Sequence, residues 1–554
     1  MPAITSVLSM AKMMGVELPQ NTLDEIDEVY DNILFYDEHT HGAAESVSDP
    51  LAQNTINQWG MKSAYAWEAA KKSQALAEKA MAFIEPAIGK SNLPTIAIFN
   101  TLNWKRSGMV DLFIQNAIIP AGAEFTITDA EGNVVPYQQH EQRMEGSYYS
   151  LWVEDIPPFG YKTLQVNVGQ KAATIPAVDD NIFENDFYKM TIHENKGVVT
   201  QIYDKELQKN LIDENDTLTL GQFLYEQLTN RHDLERLTNN TRDTIYRPLD
   251  LSRAAMRNIR VLRKEIGAIY QSIFLNGEMP ICADERGVTI EIRLYHHQKK
   301  IEFLYSMFKL PVTTPESVYV AFPFKLESGK LAFEAQGGVV YPGVNQLAGT
   351  SSDWNTIQNF ASVRNDKSQI AFVSNEIPLV QFGDINIGRY YYRLHPKTNH
   401  IFSWVLNNYW VTNFKASQQG ELRWSYSITS SADNTDMFAT RFGWGNRTPL
   451  LSRVLMPATT AKSTELVSRS MINLALPNIL LVNATPSSDG KGIILHLREV
   501  EGDHAILDTR RLLEETGASS IMEVNILEEE IATLTAPLKI EHFETKFLKL
   551  NFEN

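Results

Sequence analysis

The chain has 554 residues, more than a single hydrophobic core can serve, so two to four domains are expected. Lys and Arg number 50 against 67 Asp and Glu, and the net charge of −17 repels nucleic-acid phosphates and anionic lipid headgroups. With 43% hydrophobic and 21% charged residues, the composition is that of a folded globular protein rather than a disordered or fibrous one.

Cysteine usage narrows the field further. Cys282 stands alone, which excludes an intramolecular disulfide and any Cys-rich metal site. No run approaches the roughly 20 apolar residues needed to span a bilayer. The opening MPAITSVLSMAKMMGVELP lacks the basic leader and long apolar run of a secretory signal. A cytoplasmic protein without nucleic-acid or membrane partners is expected.

The first ninety residues read as helices. After Asn21 and Thr22, either a suitable N-cap, Ile26, Tyr30, Ile33 and Leu34 recur at helical spacing behind an acidic first turn. A longer pattern follows Pro50, with Ile56, Trp59, Ala66, Trp67, Ala70, Ala77, Met81 and Ile84. With residues 3–14 this makes about three helices, which Pro86, Gly89 and Pro94 terminate.

Beyond Pro94 the period changes. TIAIFN, MVDLFIQ, YYSLWVEDI and YKTLQVNV are short β-branched and aromatic runs punctuated by Gly, Pro, Asn and Asp, the pattern of antiparallel strands. Glu131-Gly132-Asn133 marks a hairpin turn. The strand pattern continues to the C-terminal KFLKLNFEN, with two exceptions: charged Leu224 to Leu262, read as an insertion or short helices, and Arg511 to Thr516, read as a helix. Alternating βα units are missing, which excludes a doubly wound sheet and a complete (β/α)8 barrel.

The fold class is therefore α+β, mainly β, a helical bundle followed by large antiparallel β-sandwiches. The expected units are a bundle over 1–92, a small sandwich over 93–172, a large one over 173–432 and a C-terminal one over 433–554. Ala172 to Asp180 has a linker's composition.

Nucleotide-binding, nucleophile-elbow and H-E-x-x-H motifs are all missing. His296 and His297 are adjacent, so in a strand they point to opposite faces. One segment is unusual. Tyr36-Asp37-Glu38-His39-Thr40-His41-Gly42 ends a helix with two carboxylates and two imidazoles, all zinc-ligand types. The plainer reading is a helix end that presents polar groups to water. A second candidate surrounds Tyr409 and Trp410, whose rings suit the apolar face of a pyranose while Asn407, Asn408 and Asn413 bond its hydroxyls. Core packing and turn formation explain the same residues equally well.

Tyr36 to Ala43, followed by a helix carrying Gln58, Trp59 and Lys62, resembles the central helical region of family 38 glycoside hydrolases, the retaining α-mannosidases. Further segments agree in order: Ile98 to Gly108, Ile156 to Tyr161, Glu184 to Gly197 with Ile202 to Lys205, Asp353 to Gln358, Ile377 to Gly383, and Asn407 to Asn413.

The resemblance implies a zinc-dependent retaining glycosidase whose large β-unit is a galactose-mutarotase-like super-sandwich. It implies an aspartate nucleophile and a His-x-Asp zinc pair on an N-terminal barrel that would precede residue 1. A further zinc-ligating histidine comes from the bundle, and His39 matches it best. His41 stands where relatives with this signature carry Trp, and with Asp37 it is a second ligand candidate. No residue here matches the nucleophile, and adjacent Asp37 and Glu38 make a poor catalytic pair.

What the resemblance implies is the C-terminal part of an α-mannosidase-like enzyme, inactive alone. It would act on an α-mannoside or related glycan, completed by a separate barrel-bearing polypeptide or a homo-oligomer. Apolar and unpaired polar groups should then lie exposed around Tyr36 to Gly42. The alternative is a non-catalytic carbohydrate-binding or scaffold protein of the same architecture.

Overall fold

A computed structural model describes residues 1–42, 44–169, 182–231, 233, 249–283, 286–350, 353–387, 389, 391–458 and 465–552. Three helices open the chain: α1 (Pro2–Met13), α2 (Thr22–Asp37) and α3 (Gln53–Ile84). Pro2 sits in the first turn of α1, where its missing N–H costs nothing, and Asp24 and Glu25 complement the α2 dipole. Asn21 occupies the N-cap position of α2, but its amide donates to Glu25 rather than capping the backbone.

The helices are not free-standing. Val7, Leu8 and Met10 of α1 and Leu76, Ala80 and Ile84 of α3 share a core with Ile479, Leu481, Leu495 and Leu548 near the other end of the chain. Thr5 Oγ1 adds a 2.7 Å bond to Asn483 Oδ1. Away from this core, α2 and α3 carry apolar residues outward.

The first sandwich packs two sheets. Thr95–Asn100 and Gly160–Val168 form the centre of one, and Arg106–Gln115, Gly146–Ile156 and Tyr137–Gln142 form the other. Ile96, Ile98, Val110, Leu112, Leu151 and Leu164 fill the space between them. Strand Leu451–Leu455 pairs with Thr95–Asn100, and Ser468–Ser470 pairs with Gly160–Val168. Residues beyond 433 thus complete a sheet that residues below 172 begin.

The large unit stacks a nine-stranded sheet against a six-stranded one, with a four-stranded sheet alongside. Tyr188, Phe303, Tyr305, Phe322, Phe372 and Tyr426 anchor the shared core. Every ladder among the described residues is antiparallel, as hairpin-connected strands require.

The stretch from Leu224 to Leu262 is expected to hold an insertion or short helices; its two ends are strands, Gln222–Leu228 and then Leu251–Ala255 and Arg257–Ile266, while Asp233 between them is helical. Arg257–Ile266 forms an edge strand, where one face meets water and charge is tolerated. Residues 232 and 234–248, and the linker expected at Ala172 to Asp180, lie outside the described residues. Helix α4 (Asp436–Arg447) and helix α5 (Thr509–Thr516) follow, the latter where Arg511 to Thr516 predicts one. No described helix is long and apolar enough to cross a membrane.

Candidate functional site

Helix α2 stops at Asp37, because Glu38 adopts an extended backbone (φ −54°, ψ 136°). Gly42, five residues past that point, serves another purpose. A Cβ there would sit 2.9 Å from Trp59 Nε1, so only glycine lets the chain pass beneath the indole.

The last turn of α2 leaves carbonyls without intrahelical partners. Lys62 of α3 supplies them. Its buried Nζ donates to the carbonyls of Phe35 and Glu38, each at 2.8 Å, and to Glu38 Oε2 at 3.1 Å. Lys62 also holds the Glu38 carboxyl below the usual carboxylate range. The other Glu38 oxygen pairs with His39 Nδ1 at 2.7 Å. This chain of contacts, Lys62 to Glu38 to His39, orients an imidazole whose side chain is 89% exposed. Its Nε2 has only a long 3.3 Å approach from the Thr40 hydroxyl.

His41 is placed differently. Its backbone N–H donates to Asn413 O at 2.8 Å, and its ring sits edge-on to Tyr36 at 5.3 Å. Burial, then the charges of Lys62 and Lys415, push its pKa down, with Glu38 opposing. Asp37 is exposed on the last turn of α2.

The loop carrying the second sequence candidate packs onto this segment. Thr412 Oγ1 donates to Ala44 O at 3.1 Å, and Ser46 Oγ donates to Phe414 O at 3.0 Å. Lys415 Nζ lies 5.8 Å from the Trp59 ring centre. Asn413 adopts a left-handed φ of 64°, a conformation asparagine tolerates better than most residues. Trp410, half-buried, leans on Phe414 at 4.4 Å, and Arg231 clamps its carbonyl at 2.6 Å. Two candidates more than 360 residues apart in sequence therefore form one ledge.

Several expectations fail at this ledge. Tyr409 is buried, and its hydroxyl donates 2.8 Å to Glu226 Oε1, so it faces the core rather than a sugar. Asn408 is buried as well. Its Oδ1 accepts from Glu316 N at 2.6 Å while its Nδ2 donates to Thr314 O and Ala416 O, both at 2.9 Å. Asn407 uses its Oδ1 to accept from Tyr409 N at 3.2 Å. These three residues shape the turn, and Trp410 and Asn413 alone reach the ledge. The metal trio does not assemble either. Among the described residues no three His, Cys, Asp or Glu side chains gather as a metal site. His39 turns toward Glu38, His41 tucks against Tyr36, and Asp37 stays on the helix.

His39 by itself suits the role of one ligand. Metal-bound histidines usually pass their other ring nitrogen to a carboxylate, which sets the tautomer, and Glu38 occupies that position. His297 plays a structural part instead. It stacks on Trp152 at 5.6 Å and bonds Ala268 O at 3.0 Å, sealing the two sandwiches together.

Beside the ledge the helical pair exposes apolar surface. Leu34, Phe35 and Tyr36 on α2 and Ile56, Met61 and Trp67 on α3 are all exposed, Trp67 at 75%. Trp59 Nε1 is buried with no hydrogen-bond partner among the described residues. The exposed apolar groups extend well beyond Tyr36 to Gly42, where Tyr36 alone belongs to them, while Glu38, His39 and the His41 N–H in that segment are paired.

Residues 183–376 match the family profile described as Glycosyl hydrolases family 38 C-terminal domain. An alpha-mannosidase from Enterococcus faecalis V583 shares the fold at a TM-score of 0.71 and 14% identity, over 99% of this chain and 65% of that one. A protein in glycosyl hydrolase family 38 from Enterococcus faecalis gives a TM-score of 0.70 and 14% identity, over 99% and 68%. The chain therefore spans about two thirds of the length of these solved relatives. No curated protein sequence matches it. Residues 183–376 are thus similar to the C-terminal domain of glycosyl hydrolase family 38, and almost the whole of this chain shares its fold with part of these two proteins.

Proposed function

We propose that this chain is one part of a zinc-dependent retaining α-mannosidase-like glycoside hydrolase. It supplies His39 as a zinc ligand and the ledge of Trp410 and Asn413 as a wall of the glycan site. The nucleophile and the remaining ligands stand on polypeptide outside this sequence. The observation that carries the reading is the Glu38–His39 pair, an imidazole fixed by a carboxylate yet left open to solvent. Zinc, when bound, supplies positive charge that orients and polarises oxygen groups of a substrate.

The chain's own residues prepare that site. Lys62 neutralises and anchors Glu38, Glu38 orients His39, and Gly42 lets Trp59 support the turn from below. Glu38 is committed to Lys62 and His39, which leaves it no freedom to attack a sugar. Double displacement needs a second free carboxylate about 5–5.5 Å from the acid, so the chain by itself is expected to be inactive. The exposed face around Leu34 and Trp67 would be covered by a barrel-bearing partner or a second copy. With Cys282 buried and alone, the proposed compartment is the cytoplasm.

The test is an aryl α-mannoside assay with zinc, run on the chain alone and with a barrel-bearing polypeptide. Turnover only in the mixture, abolished by His39→Ala, is the expected result. Turnover by the chain alone would mean the active site lies elsewhere. Binding of glycan without turnover in either arm would favour the carbohydrate-binding scaffold.

A further inference from the structure

A cavity of about 360 Å³ opens at the outer edge of the large sandwich, among residues the ledge does not use. Two edge strands flank it: Gly338–Val340, which ends the nine-stranded sheet, and Asn355–Thr356, which ends the six-stranded one. Phe333, Val340 and Trp354 supply its apolar surface, and Asn345, Gln346 and Asn355 its polar surface. None of its lining side chains is charged.

Asn355 is the informative residue. It is only 6% exposed, and its Nδ2 has no hydrogen-bond partner among the described residues. Its Oδ1 accepts from Gln346 Nε2 at 2.7 Å, which fixes the carboxamide. Gln346 Oε1 in turn accepts from Gly343 N at 3.0 Å, and Asn345 Oδ1 accepts from Tyr341 N at 3.0 Å. All three amide oxygens are engaged, so what the cavity offers first is N–H donors. A buried unpaired donor is destabilising, and a ligand acceptor would remove that penalty. Beside it Trp354, packed on Trp404 at 5.5 Å, presents a half-buried ring.

These features select a ligand class. An anion or cation would enter without a counter-charge, and a purely apolar ligand would leave the Asn355 donor unpaired. An aromatic ring beside convergent amides suits a molecule with one apolar face and hydroxyl acceptors around its rim. The volume lies at the small end of ligand sites, which run from about 300 to 1,000 Å³. We propose that this cavity binds one neutral pyranose unit, with Asn355 Nδ2 donating to a sugar hydroxyl and Trp354 against the ring.

The proposal goes beyond the mannosidase reading and does not depend on it. Calorimetry on the full chain would use methyl α-mannopyranoside, methyl α-glucopyranoside and methyl β-galactopyranoside, with inorganic phosphate and cyclohexanol as charged and apolar controls. Saturable binding of at least one glycoside is expected, with no binding of either control. Asn355→Leu and Trp354→Leu should each weaken it about tenfold. Should Asn355→Leu fail to fold, Trp354→Leu carries the test alone. The proposal is overturned if no glycoside binds, if either control binds as well as the glycosides, or if the cavity variants bind like the parent. Because the readout needs neither zinc nor turnover, its failure is separable from failure of the mannosidase reading.

Discussion

Two regions of this protein draw on the same residue types and use them in opposite ways. The stretch from Asn407 to Asn413 combines asparagines with Tyr409 and Trp410, while the stretch from Asn345 to Asn355 combines two asparagines and Gln346 with Trp354. In the first, Asn408 donates and accepts at full stretch, and Tyr409 completes the hydrogen bonding of Glu226. In the second, Asn355 keeps an amide that nothing in the described structure satisfies. The lesson concerns hydrogen-bond accounting. An aromatic residue beside an amide is a building element when its polar atoms are paired and a candidate binding element when they are not.

The sharpest way to break this contrast is Asn408→Ala. It strips partners from the Glu316 N–H and from carbonyls of Thr314 and Ala416 in a buried place, so a loss of about 3 kcal/mol in urea unfolding is expected. A loss below about 1 kcal/mol would mean the loop is not built around that side chain. Next comes Tyr409→Phe, expected to cost about 1.5–2 kcal/mol by the same measurement. Glu226 loses one bond there but retains Arg253 at 2.6 Å.

Glu334 probes the cavity side of the comparison. It lies on the strand between Phe333 and Ala335, both of which line the cavity, so it points the other way. Trp444 Nε1 donates to its Oε1 at 3.0 Å, and its Oε2 is buried with no hydrogen-bond partner among the described residues. Burial pushes its pKa above the ordinary 4.5, more than Trp444, Asn359 and the Arg498 charge pull it down. Folding therefore favours the protonated acid. Its stabilising contribution is complete below pH 4.5 and is lost as pH rises through the higher folded value. Glu334→Gln should flatten that fall and gain about 1 kcal/mol at pH 8, read from unfolding curves across pH. An unchanged pH profile would show that Glu334 titrates normally.

The smallest effect is predicted for Asn355→Leu, whose stability should stay within about 1 kcal/mol of the parent. It loses one bond from Gln346 but also removes an unpaired buried donor. A loss as large as that of Asn408→Ala would erase the distinction between the two regions.

Much of the local structure was legible in the sequence. The change of period at Pro94 marks the passage from helix to strand, and a turn forms at Glu131-Gly132-Asn133, closed by a single bridge between Thr128 and Val134 while the strands beyond it join different sheets. Gly132 takes a φ of +82°, and Asp129 Oδ1 accepts from the backbone N–H groups of Glu131 and Asn133. The candidate site was legible in part. His39 stood out by composition, but the reason it stands open, its carboxylate partner and the lysine behind that, depends on where α3 crosses α2. Trp354 and Asn355 lay within a segment noted only for its family resemblance. An aromatic-amide pair nine residues after Gln346 was the available signal, and composition could not rank it above Tyr409 and Asn408.

Helical periodicity also misled in one respect. Leu34 and Trp67 fall at apolar positions of their helices, yet both are exposed, because periodicity reports which face is apolar and not whether anything covers it.

Sequence alone determined where helix gives way to strand at Pro94, since side-chain direction follows directly from backbone period, but not the helix at Asp436–Arg447 or the strands at Leu251–Ala255 and Arg257–Ile266. It also determined the acidic surface and the lack of disulfide support, which are matters of composition. Only the tertiary structure decided that Leu451–Leu455 completes a sheet begun at Thr95, that α1 shares its core with Ile479 and Leu548, and that residues 36–41 meet the loop at 410–413. Those contacts join residues hundreds of positions apart. Whether a buried amide or hydroxyl is satisfied depends on which atoms such contacts bring within about 3 Å, and no local pattern encodes that distance.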